Sequence, residues 1–139
     1  MGTARVLIAV VGAVLPFGIR LLGGPDWVGQ YTAGGVTSIL FISAMNAPTW
    51  LTLLRLTYVY RRPISLAAPC LMTFGFLARF HSSLDLSADA QAAIGVVFVP
   101  IAAIPFACVG AFAGYLVDRI AVSSVGTAAG WKPRGVGLF

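Results

Sequence analysis

Long apolar runs separated by short polar breaks dominate the chain, and each run is close to the roughly 20 residues a helix needs to cross a ~30 Å hydrocarbon core. The pattern predicts an all-α, polytopic transmembrane bundle with about four spans, over residues 6–24, 33–54, 63–80 and 92–117. The fourth run is the clearest, because no charged residue falls between Ile94 and Val117. Pro100 and Pro105 interrupt it, which a membrane helix tolerates as a kink.

The first run ends at Gly23, Gly24 and Pro25, and carries Arg20 near its far end, where a long side chain can snorkel to the headgroups. Arg5 before this run also fits a signal peptide, but no A-x-A-like cleavage site follows and Pro16 is poorly placed for one. The third run has an uninterrupted apolar stretch only from Ile64 to Ala78. At that length a re-entrant segment competes with a full crossing. Ser87, with Asp89 in the first turn, is the expected start of the fourth helix.

Charge placement adds an orientation. With the N-terminus inside, Arg5, Arg55, Arg61, Arg62, Arg119, Lys132 and Arg134 are cytoplasmic and only Arg20 and Arg79 lie outside. Both ends are therefore expected in the cytoplasm. Trp27 and Tyr31 then fall at the outer interface, and Tyr58, Tyr60 and Tyr115 at the inner one. Residues 1–120 make up the transmembrane domain, and 121–139 a basic, glycine-rich cytoplasmic tail. In the tail, Trp131, Leu138 and Phe139 flank Lys132 and Arg134, a pattern suited to a partner or to anionic headgroups.

Composition agrees: 59% of the 139 residues are hydrophobic and 9% charged, against about 25% charged in ordinary soluble domains. The net charge of +5 is scattered singly between apolar runs, so it does not mark a nucleic-acid surface. Cys70 and Cys108 sit in apolar stretches and give no disulfide framework.

Candidate chemistry is sparse. Ala103, Ala107, Gly110 and Gly114 share a face of the fourth helix, and small residues there let helix backbones approach closely, within the bundle or against another subunit. Ser38, Asn46 and Thr49 form a polar intramembrane face on the second helix, beside Pro48, suited to interhelical hydrogen bonds or to a solute path. Arg55 and Asp118, at similar depth, are a candidate interfacial ion pair. His81, Asp85 and Asp89 recur every four residues, a weak metal pattern in a serine-rich loop, and no metal or other cofactor is assigned. No phosphate loop, HExxH or CxxC motif occurs, so an enzyme is not expected.

The expected function is a small non-catalytic membrane subunit that packs against and stabilises a larger membrane complex in a bacterial inner membrane. Its partners are the lipid bilayer and other membrane subunits. The alternative is a small homo-oligomeric channel or transporter using the polar face of the second helix.

Overall fold

The computed structural model describes residues 1–88 and 91–129, with side chains through residue 120. The described residues form an all-α bundle: α1 (Gly2–Leu21), α2 (Pro25–Thr32), α3 (Val36–Val59), a 3-10 turn (Pro63–Leu66) leading into α4 (Ala67–Ser83), and α5 (Ala92–Ala129). Four of these segments are long and apolar enough to cross a membrane: Gly2–Leu21, Val36–Val59, Pro63–Ser83 and Ala92–Ile120. The chain is an integral, multi-pass membrane protein.

The third segment reaches 21 residues because the 3-10 turn and the polar residues up to Ser83 extend the apolar core at both ends. That length meets the ~20 residues a crossing requires. Its start is set by Pro63, which holds Arg62 in an extended conformation (φ −122°, ψ 139°) and so separates it from α3.

Two local features differ from the sequence expectation. The first is α2, eight residues long, which opens with Pro25 at its first turn and Asp26 beside it, a helix start that the apolar pattern alone does not reveal. Gly24 (φ 108°) and Gly35 (φ 62°) supply the left-handed backbone that lets α2 turn away from α1 and the chain re-enter at α3. The second is the start of α5. Ser87 does not cap it; its N–H and hydroxyl bond to Asp85 Oδ1 at 2.9 and 2.6 Å, closing a tight turn, and the helix begins at Ala92. Asp89 lies outside the described residues. α5 also continues to Ala129, into the segment expected as tail, while Trp131, Lys132, Arg134, Leu138 and Phe139 lie outside the described residues.

Only 22, 22, 28 and 22% of the most apolar window of each span is buried inside the bundle, so most of its apolar surface faces outward and needs lipid as its solvent. Val6, Val10 and Val14 on α1 and Ile101, Ile104 and Phe112 on α5 are among these outward residues. The interior holds two clusters. Ile8, Leu53, Tyr60 and Leu66 pack where α1 begins and α3 ends. Tyr31, Ile42 and Val96 pack at the opposite end, with Phe17 and Met45.

Small residues set the helix spacing, as they must where lipid removes the hydrophobic driving force between helices. Ala103, Ala107, Gly110 and Gly114 are all buried within this one chain. A Cβ at Gly110 would lie 2.6 Å from Pro69 Cα, and one at Gly114 would overlap the Ser65 carbonyl oxygen. The glycine pair thus seats α5 on the start of α4. Beside it, the Tyr60 hydroxyl donates to the Ala111 carbonyl at 2.6 Å.

Candidate functional site

The polar residues converge at the end of the bundle where α1 stops. Arg20 does not snorkel outward; it is 1% exposed, drawn in by acceptors that α2 and the end of α4 place around it. Its Nε donates to the Trp27 carbonyl at 3.1 Å, and Nη1 to the carbonyls of Leu84 at 2.8 Å and His81 at 3.4 Å. Nη2 donates to Gln30 Oε1 at 2.7 Å and to Leu84 O at 2.7 Å. The guanidinium also lies 3.8 Å from the centre of the Tyr31 ring.

These bonds match the five N–H donors of a guanidinium. A cation at the carbonyl end of α4 both pairs the orphan acceptors of its last turn and opposes the negative pole of its dipole. Charge balance comes indirectly. Gln30 passes from Arg20 to Asp85, donating Nε2–H to Oδ1 at 2.9 Å, and also accepts the Leu86 N–H at 2.9 Å. The two bonds from Ser87, then that from Gln30, hold the Asp85 carboxyl below its usual range, so it stays ionised opposite Arg20.

A second chain of bonds leads inward. Asn46 Nδ2 donates to the Ile42 carbonyl at 2.8 Å, which leaves Oδ1 to accept from His81 Nε2 at 2.8 Å. His81 is therefore the neutral imidazole with its hydrogen on Nε2, and Nδ1 accepts the Tyr31 hydroxyl at 2.7 Å. Burial pushes the Tyr31 phenol up to about 12, against a smaller opposing pull from Arg20. Both imidazole nitrogens are thus occupied, and the ring offers no free base.

The expected groupings are partly dispersed. α4 ends at Ser83, so His81 and Asp85 do not share a helix face, and no group of three potential metal ligands exists among the described residues. Asp118 takes the backbone N–H groups of Arg61 and Arg62, both at 3.2 Å, and the Ser65 hydroxyl at 2.9 Å. Arg55 does not join it, because α3 presents Arg55 to the exterior while the turn after α3 brings backbone donors to the carboxylate. Nor do Ser38, Asn46 and Thr49 form one continuous face. Ser38 borders a hollow with Gln30, Tyr31 and Phe41; Asn46 is bound to His81; Thr49 faces elsewhere.

Thr49 lines an apolar cleft of about 300 Å³ between α3 and α5, with Pro48 and Thr52 on one wall and Pro100, Ala107 and Ala111 on the other. Among the described residues the buried Thr49 hydroxyl has no hydrogen-bond partner. Pro48 and Pro100 have no N–H to give, so the carbonyls of Ala44 and Val96 lack their ordinary helical donors. The cleft therefore combines apolar walls with one buried hydroxyl, that of Thr49, which has no partner among the described residues.

The Arg20, Gln30, Tyr31, His81 and Asn46 network was not anticipated as a unit. Its available signal was Arg20 itself, since an ionisable residue inside an apolar run is rare without partners. Against known protein families, characterised proteins and solved structures, the chain gives no match.

Proposed function

We propose that this protein is a small non-catalytic membrane subunit that packs against a larger membrane complex and stabilises it, receiving a transmembrane helix of that complex in the α3/α5 cleft. The cleft carries the reading. Ala111, partly exposed on its α5 wall, presents only a methyl group, so a partner helix can approach closely there, as small residues allow in lipid. Thr49 adds a hydroxyl with no partner among the described residues, and interhelical bonds from such groups are worth about 0.6–2 kcal/mol.

The rest of the polar inventory supports a structural role. His81, Tyr31 and Asn46 are engaged with one another, and Arg20 with backbone carbonyls and Gln30, so among the described residues these groups are spent on structure. A homo-oligomeric channel would need Ser38, Asn46 and Thr49 on a shared lumen, whereas Asn46 is bonded inside a single copy. The arginine bias favours both termini in the cytoplasm of a bacterial inner membrane.

The test is mild-detergent extraction of the native protein with mass and subunit analysis, repeated for Ala111→Phe, which fills the cleft. A foreign membrane subunit present in fixed ratio with the native chain and lost with the variant is expected. Monomers or self-assemblies alone would overturn the proposal.

A further inference from the structure

The end of the bundle where α1 begins and α3 ends is strongly asymmetric in charge. Arg5, Arg55, Arg61, Arg62 and Arg119 gather there against Asp118, the one carboxylate at that end among the described residues. At the opposite end, Arg20 and Arg79 face Asp26 and Asp85. Beside the basic cluster, α1, the 3-10 turn and α4 enclose an open apolar groove of about 420 Å³, lined by Ala4, Leu7, Ile8, Ile64, Ala67 and Cys70. Pro63, next to Arg62 in the chain, forms its rim.

We infer that this groove holds an acyl chain of an anionic phospholipid whose phosphate is met by Arg61 and Arg62. The corner is built for that division of labour. Asp118 holds the backbone N–H groups of Arg61 and Arg62 and the hydroxyl of Ser65, so the turn is fixed by hydrogen bonds that use neither guanidinium, while the Arg61 charge adds only a longer-range attraction to the carboxylate. Among the described residues neither guanidinium forms an ion pair. Guanidinium groups match phosphate oxygens in a bidentate fork. The groove opens sideways to the apolar exterior, where Leu7 and Ile64 are exposed, so a chain can enter from the bilayer while its headgroup stays at the interface. A free phosphate would satisfy the arginines and leave the groove empty. Charge and shape together favour the lipid.

The experiment is native mass spectrometry of the detergent-solubilised full chain with added phosphatidylglycerol, phosphatidylcholine or inorganic phosphate. Retained phosphatidylglycerol, at least five-fold above phosphatidylcholine, is expected. The double variant Arg61→Gln/Arg62→Gln should reduce retention by a similar factor, and because Asp118 binds backbone the turn should survive. Ala67→Phe, which crowds the groove and leaves the arginines intact, should also reduce it. Arg79→Gln, at the opposite end, should not. In a Cys108→Ser background, phosphatidylglycerol should slow maleimide labelling of Cys70 several-fold. Equal retention of both lipids, equal loss with Arg79→Gln, phosphate binding in place of lipid, or unchanged Cys70 labelling would each overturn the inference.

Discussion

Replacing Arg20 tests the structure at its most constrained point. The side chain is 1% exposed and donates to four acceptors: the carbonyls of Trp27, His81 and Leu84 and the amide oxygen of Gln30. Arg20→Gln would leave Asp85 without its balancing cation and the last carbonyls of α4 without donors. Removing one member of a buried charged network costs about 3–5 kcal/mol, and the position of Asp85 at the surface keeps the loss at the lower end of that range. A loss of about 3 kcal/mol is therefore expected. Arg20→Lys keeps the charge but offers three donors from a single nitrogen, which cannot span Trp27, Gln30 and Leu84 together. It should recover less than half of the loss. The assay is reversible unfolding in mixed micelles, followed by circular dichroism. A snorkelling arginine makes the opposite forecast, since lysine snorkels equally well. If Arg20→Lys matched the native protein to within about 0.5 kcal/mol, the normal spread of surface substitutions, the network account would fail.

Other outcomes are equally specific. Asn46→Ala removes the acceptor of His81 Nε2–H and should cost about 1–3 kcal/mol, with strong non-additivity toward His81→Leu in a double-mutant cycle. Gly110→Ala forces α5 away from Pro69 Cα and should cost about 1–3 kcal/mol, while Gly75→Ala, whose Cβ meets nothing within 4 Å, should be neutral or stabilising; unfolding titrations compare them. Asp118→Asn should lower the thermal midpoint and Arg55→Gln should leave it unchanged, because the carboxylate is held by Arg61, Arg62 and Ser65. The raised phenol of Tyr31 gives a pH signature. The folded state keeps the neutral form, so its contribution is complete below pH 10 and is lost as pH rises from about 10 to about 12. Tyr31→Phe should flatten that alkaline decline in a pH series of unfolding midpoints.

The four spans were legible because a helix satisfies its own backbone in hydrocarbon and so appears in the sequence as a long apolar run with few charges. Gly110 and Gly114 were legible for a related reason: their spacing signals close helix contact, although it does not say against which helix. The polar network was not. Arg20 and His81 lie 61 positions apart, and their remaining partners, Gln30 and Tyr31, come from α2, whose eight residues carry too little apolar periodicity to be read as a helix. Without α2, Gln30 and Tyr31 look like interface residues and Arg20 like a snorkelling one. The Arg55 and Asp118 pairing failed because matching depth does not specify azimuth, and the backbone donors of the turn after α3 are invisible to a side-chain pattern. The α3/α5 cleft was only half visible, through Pro48 and Thr49 on one wall and the small residues of α5 on the other.

The central claim, that the α3/α5 cleft receives a helix of a different membrane protein, is tested most directly from Cys108, which is exposed and lines that cleft. In a Cys70→Ser background, a photoreactive maleimide on Cys108 should cross-link in native membranes to one foreign membrane protein at a defined transmembrane segment. The same probe on Val10→Cys, on the outward face of α1 and with both native cysteines replaced, should not. Cross-links from Cys108 only to lipid or to further copies of this chain would contradict the account.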